Sequence, residues 1–373
     1  MKIRALTIFA SNIDKDKIEN YANQLSSIND SLIWSKRIAF PPKSLNEKII
    51  GKIPENKDII YSIIHLSQKD NLSLIKDILS VNENFYGSIL LNNPSYVDNV
   101  SKFIYDLEPQ LATRVAVLIY DDFLTTPYFP VGSANTLIDS MAISLIYPRE
   151  FLDGNAQKAL SVADEYAKKI ATQLKLKYLG IDVSLSPWKE ESVAEIIEKR
   201  SGKLFSFGNM STVAEINKEI FEIAWKLKIT PIGFSEVMLP VAEDNVLIER
   251  VNEGTLTLQG LFLLTSVCVA GIDMVVVKKD YDLIRKILKD SMALQIVKRR
   301  PYGVRLITVS YTHLTLPTVV VKKDYDLIRK ILKDSMALQI VKRRPYGVRL
   351  IPSTDSGYVY LKDYGRIPEI KTL

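Results

Sequence analysis

The chain has 373 residues, 47% of them hydrophobic, with 49 Lys or Arg against 43 Asp or Glu, a formal net charge of +6 and one cysteine. Such a composition excludes a disordered chain, because it can bury a large apolar core, and one cysteine excludes an intramolecular disulfide framework and suits a reducing, cytoplasmic compartment. The basic excess comes from a duplication: residues 275–307 recur letter for letter at 319–351, and without residues 308–351 the chain has 329 residues, 40 basic and 40 acidic. A nucleic-acid partner or an anionic membrane surface is therefore not expected.

In chain order, short apolar runs alternate with stretches of helical periodicity, the pattern of a βα-type fold around a largely buried sheet. The opening apolar run at 3–9 is too short for a signal peptide and predicts a strand. A helix at 15–25 and a strand at 32–39 follow, while the run at 59–66 suits either state. Helices at 72–79 and 96–107 alternate with strands at 86–91 and 114–120. Strands at 142–147 and 178–185 enclose a long helix at 156–174. Helices at 193–199 and 213–227 each open on a capping box, Ser192 with Glu195 and Thr212 with Glu215. Asp244 and Asp280 are placed to cap helices at 246–251 and 281–297. The apolar stretch at 256–277 contains Gln259, Gly260, Gly271 and Asp273, and predicts a buried helix leading into a buried strand rather than a membrane span. Strands at 304–307 and 358–361 complete the set, and no Pro/Gly/Ser-rich linker divides the chain, so a single α/β domain over 1–373 is expected.

Perfect identity between two copies, exposed lysines included, has no folding rationale, since true structural repeats diverge outside core and turn positions. The peptide between the copies, TVSYTHLTLPT at 308–318, resembles a reading frame of a sequencing adapter and reads as a foreign insert. The first copy, contiguous with the preceding buried segment, is expected to sit in the sheet, with 308–318 as an exposed loop.

Conventional catalytic signatures are missing: no G-x-x-x-x-G-K-[ST] loop and no G-x-G-x-x-G occur. His65, inside the apolar run Ile63-Ile64-His65-Leu66, reads as a satisfied core residue. Asp182, Ser184 and Ser186 fall on one face of a strand, because strand side chains alternate with period two. Polar groups on an otherwise apolar strand need partners, so a pocket wall or a turn cap is expected there. Glu236 stands ahead of an apolar run that ends in Glu243-Asp244, the last two read as a strand end and helix cap. Cys268 leaves a helix through small residues just before Asp273; acidic neighbours would raise its pKa, which argues against a thiolate nucleophile.

The stretches Ile3-Arg4-Ala5-Leu6-Thr7, Thr126-Pro127-Tyr128-Phe129-Pro130, 178–187, 237–244 and 266–273 together resemble the uncharacterised family called domain of unknown function 711. Where that family commonly has Cys-Gly-Thr-Gly-Leu-Asp, this chain has Cys268-Val269-Ala270-Gly271-Ile272-Asp273. The resemblance implies a fold similar to pyruvate formate-lyase: an α/β barrel of about ten strands in two antiparallel halves, with helices outside. It carries no reaction with it. Two readings stay open, an enzyme or small-molecule-binding barrel and a non-catalytic structural or regulatory protein. In the first, a pocket at strand ends gathers Asp182, Ser184, Glu236, Cys268 and Asp273. The sequence leaves cofactor and metal unidentified, a binding or metal-associated role suits the carboxylates better than thiolate catalysis, and a homo-oligomer is left open.

Overall fold

The computed structural model describes residues 1–42, 53–54, 56–267, 269–309, 358–361, 363 and 365–368. The opening apolar run forms β1 (Lys2–Phe9), buried from Ile3 onward because neighbours cover both of its faces. Asp14 caps α1 (Lys15–Ser27) by accepting from the backbone of Lys17, and the helix lays Ile18, Tyr21, Ala22 and Leu25 on the sheet. The predicted strand at 32–39 shortens to β2 (Lys36–Ala39), with Ile33 held to Ile3 by a single bridge. The ambiguous run is a strand, β3 (Ile59–Ser67), since parallel partners on both sides satisfy its backbone. Next come α2 (Ser73–Val81), β4 (Phe85–Leu90), α3 (Val97–Tyr105) and β5 (Val115–Ile119).

After β5 the chain makes a long irregular excursion, and β6 (Ser140–Ile146) returns antiparallel to β1. Helix α4 (Ala156–Leu174) leads to β7 (Lys177–Asp182), parallel to β6. Helices α5 (Val193–Ser201), α6 (Asn209–Lys226), α7 (Asn245–Asn252) and α8 (Leu258–Thr265) precede β8 (Gly271–Lys278), α9 (Tyr281–Lys298) and β9 (Tyr302–Val309). Ser192, Asp244 and Asp280 cap α5, α7 and α9 as expected. The Thr212 capping box does not start α6; the helix begins three residues earlier behind Gly208, whose left-handed backbone takes the cap position.

Among the described residues nine strands form one sheet in the order β7-β6-β1-β2-β3-β4-β5-β9-β8. Five central parallel strands, β1 to β5, are flanked by two parallel pairs that run the opposite way. The two edges, β7 and β8, do not pair with each other, so strand pairing alone does not close the expected barrel. Between them single bridges join Ile181 to Pro231 and Val237 to Val269. A separate hairpin, β10 (Tyr358–Leu361) with β11 (Gly365–Pro368), lies outside this sheet.

The first copy of the duplication supplies β8, α9 and β9, and the second lies outside the described residues. Thr308 and Val309, expected in an exposed loop, instead extend β9 and are buried. Among the described residues no helix is long and apolar enough to cross a membrane. The main apolar core lies between the sheet and its helices. Two smaller clusters have another composition: strand residues Leu90, Ala116 and Leu118 with Tyr128 and Phe234, and Phe9, Ala39 and Ala142 with Phe129. The β5–β6 excursion thus packs its buried stretch, 126–134, on the other face of the sheet.

Candidate functional site

On that second face lies a cavity of about 500 Å³, lined by β1, β2, β3, β4, β5, β8 and β9, by the excursion, and by loops around 186–188 and 234–243. Charged side chains entering it from apolar strands must be paired or solvated, because burying a bare charge costs several kcal/mol, on the order of the whole stability of a domain. Most are paired. Arg4 reaches the cavity at a β-bulge in β1 and bonds Glu243 at 2.5 Å, Ser186 at 3.0 Å and the Pro187 carbonyl at 2.8 Å. Its guanidinium lies 5.5 Å from the ring centres of Trp34 and Trp188 and 5.7 Å from that of Tyr128. Glu243 also accepts from Arg305 at 3.0 Å, and Arg305 grips Asp273 bidentately at 2.7 and 2.9 Å. Burial pushes the Glu243 carboxyl up, but the two guanidiniums outweigh it and hold the pKa below its ordinary value.

Arg37 differs. It is 8% exposed and lines the cavity; its Nε donates to Ser35 Oγ at 2.9 Å and its Nη1 to the Pro127 carbonyl at 3.1 Å. The Phe129 ring lies 5.2 Å beneath it. Among the described residues no carboxylate lies within salt-bridge distance and Nη2 has no partner. Desolvation, and then the like charge of Arg4, push its pKa down to about 10, so it keeps its charge at neutral pH. The Tyr128 hydroxyl, buried on the same wall, lies near those of Ser144 and Ser186 without a hydrogen bond of good geometry.

A family model described as Uncharacterised ACR (DUF711) matches residues 137–314. The chain is similar to UPF0210 proteins of Methanocaldococcus jannaschii, at 30% identity over 41% of this chain and 35% of the relative. It is also similar to those of Pyrobaculum arsenaticum (25%, over 58% and 54%) and Sulfurisphaera tokodaii (24%, over 81% and 83%). The match and these relatives support the resemblance to the DUF711 family. The chain spans only about a third to a half of the length of the first two of these relatives.

The DUF711 motifs read from the sequence divide between the cavity and its supports. Asp273 and Ser186 line the cavity; Asp182, Ser184 and Glu236 do not. Asp182 is fully buried and accepts from Thr126 Oγ1 at 2.7 Å, Ser184 Oγ at 2.5 Å, and the Phe234 and Ser235 amides at 3.0 and 2.9 Å. These hydrogen bonds make Asp182 a clamp tying the excursion and the 233–236 loop to the end of β7. Burial raises its pKa against these hydrogen bonds. Ser184 extends the clamp by accepting from the Glu236 amide at 3.1 Å. Glu236 itself is ion-paired with Lys298 and Arg300, each at 2.6 Å, fastening the end of α9. Cys268 lies outside the described residues. Among the described residues no group of three or more His, Cys, Asp or Glu is placed to hold a metal ion.

Asp244 is the helix cap expected, accepting from α7 at Val246 and from α5 at Val193 and Ala194. Glu243, read the same way, instead turns into the cavity, because the short 3₁₀ turn at Val241–Glu243 points successive side chains in different directions. Arg4, Arg37 and Arg305 were missed. The available signal was one arginine among the apolar residues of each of three strands, beside Lys36 in the case of Arg37, a position where a buried charge demands a partner.

His65 is buried, with Nδ1 2.8 Å from Ser88 Oγ and Nε2 3.3 Å from the Ser62 carbonyl. A carbonyl only accepts, so Nε2 carries the proton and Nδ1 accepts from Ser88. Burial outweighs the Ser62 bond and pushes its pKa down to about 4, against an ordinary 6.5. The unfolded chain then binds the extra proton first. Stability is expected to be full above pH 6.5 and to fall by roughly 3 kcal/mol as pH drops toward 4. Urea titrations across that range check this; the same slope in His65→Gln would assign it elsewhere.

Proposed function

We propose that this protein binds a small organic anion in the cavity, with Arg37 as its anchor. The observation that carries the reading is a cavity-lining guanidinium more than nine-tenths buried and held on two sides, whose remaining N–H groups have no hydrogen-bond partner among the described residues. Two of its five donors are used, and those left on Nη1 and Nη2 form a planar fork suited to two anion oxygens. A cavity of about 500 Å³ is in the range that encloses a metabolite-sized ligand. We further propose that the sheet is the wall of a ten-strand, pyruvate formate-lyase-like barrel, with the irregular segment 231–237 standing in for the tenth strand between β7 and β8. The bridges from Ile181 and Val237 support this. A cavity enclosed on all sides would strengthen each electrostatic contact inside it.

Thermal-shift screening against organic acids, followed by calorimetry, tests the binding role. A ligand at a hundred times its Kd should raise stability by about 2.7 kcal/mol. Arg37→Met should abolish that shift while leaving the unliganded protein at least as stable as wild type, because an unpaired buried charge is removed. A ligand shift that survives in Arg37→Met would sink the assignment of the anchor. A variant clearly less stable than wild type without ligand would show that Arg37 serves the fold instead.

A further inference from the structure

The charges lining the cavity can be counted against each other. Arg4, Glu243, Arg305 and Asp273 form one unbroken chain of ion pairs, two cations and two anions, and cancel. Asp363, on the turn between β10 and β11, also borders the cavity but is exposed, where water and salt screen its charge. Among the described residues one buried positive charge is left over, that of Arg37. We infer that the natural ligand is a monocarboxylate with an apolar or aromatic body, a deepening that rests on the anion-binding role of the cavity.

Three features converge on that class. A carboxylate brings one negative charge to the one uncompensated positive charge, so the loaded cavity is neutral. A phosphate monoester carries about 1.5 to 2 charges at neutral pH, leaving a surplus in a desolvated site, which is the costly situation for any buried ion. The flat end-on fork of Arg37 also matches the two coplanar oxygens of a carboxylate. Between its charged groups the cavity lining is aromatic or apolar at Tyr86, Ala116, Phe129, Phe234 and Met238. These would bury a ring or a branched alkyl chain, and they offer no further charge to a second acidic group.

The experiment compares monocarboxylates with dianions of similar size, using the full chain. Phenylacetate, indole-3-acetate and 3-methylbutanoate are titrated beside phenyl phosphate and succinate, by calorimetry and thermal shift. At least one monocarboxylate is expected to bind tenfold or more tightly than either dianion. In Asp273→Asn, which adds one net positive charge to the lining, the preference should shrink by about tenfold as dianions gain. Arg37→Met should lose all of these ligands. Tighter binding of phenyl phosphate or succinate to wild type, lost in Arg37→Met, would overturn the monocarboxylate class and leave the anion site standing. Monocarboxylate binding that Arg37→Met does not weaken would overturn the anion site itself. A preference unchanged in Asp273→Asn, with that variant folded by thermal unfolding, would overturn the charge count. No response to any monocarboxylate would overturn the ligand class.

Discussion

Replacing Glu243 by alanine is expected to destabilise the protein by about 3–5 kcal/mol, the range for breaking a buried ion pair from one side. The carboxylate is 2% exposed and is shared by Arg4 at 2.5 Å and Arg305 at 3.0 Å. Removing it leaves two guanidiniums to one acid, Asp273, which pairs with Arg305. Arg4 keeps its bonds to Ser186 and the Pro187 carbonyl, but those are neutral acceptors and do not offset its charge. Urea unfolding at neutral pH measures the loss. Glu243→Ala combined with Arg4→Met should recover much of it, because the orphaned cation goes as well. The sign with pH also follows. Glu243 is held below its ordinary 4.5, so its contribution is complete above that value and fades as the medium acidifies through the folded pKa. A loss under 1 kcal/mol in Glu243→Ala would mean that water reaches the pair and that the cavity wall is not dry.

Gly233→Ala is expected to be of similar size, for a different reason. The residue has φ of +65°, which costs an L side chain about 1–2 kcal/mol. A Cβ there would lie 2.2 Å from Asp182 Oδ2 and 2.5 Å from Thr126 Oγ1, so the Asp182–Thr126 hydrogen bond must open. An unsatisfied buried carboxylate oxygen adds roughly another 1–3 kcal/mol or more. Because Asp182 fastens both the excursion bearing Tyr128 and Phe129 and the loop bearing Phe234, the damage should spread to the cavity. Chemical denaturation should show a loss of about 2–5 kcal/mol, the sum of those terms. Ligand binding should weaken even below the unfolding midpoint. Wild-type stability in Gly233→Ala would show that the loop can move away, and that Asp182 is not the clamp its hydrogen bonds describe.

Much of the local structure was legible in the sequence because it depends on neighbours a few residues apart. Apolar runs and helical periodicity located most strands and helices, and the caps at Ser192, Asp244 and Asp280 were readable from one side chain and the next turn of backbone. The buried, partnered state of His65 followed from the apolar run around it. The resemblance to the DUF711 family was legible in the same way, through short motifs such as Thr126-Pro127-Tyr128-Phe129-Pro130 taken in order. Where two local signals competed, locality failed: Thr212 offered a cap, but Gly208 could turn the chain earlier and did.

The site was decided by tertiary structure. Arg37 lies on β2, Arg305 on β9, Arg4 on β1 and Glu243 in a loop before α7, and only the strand order and the bulge in β1 bring them around one cavity. Asp182, Ser184 and Glu236 carried equally good polar signals, yet their lone pairs were claimed by backbone amides and cations that arrive from distant segments. A polar residue in an apolar strand announces that it needs a partner. Whether the partner is a loop, a counter-ion or a ligand depends on what packs against it, and that is fixed by chain segments hundreds of residues apart in some cases, beyond any window of local pattern.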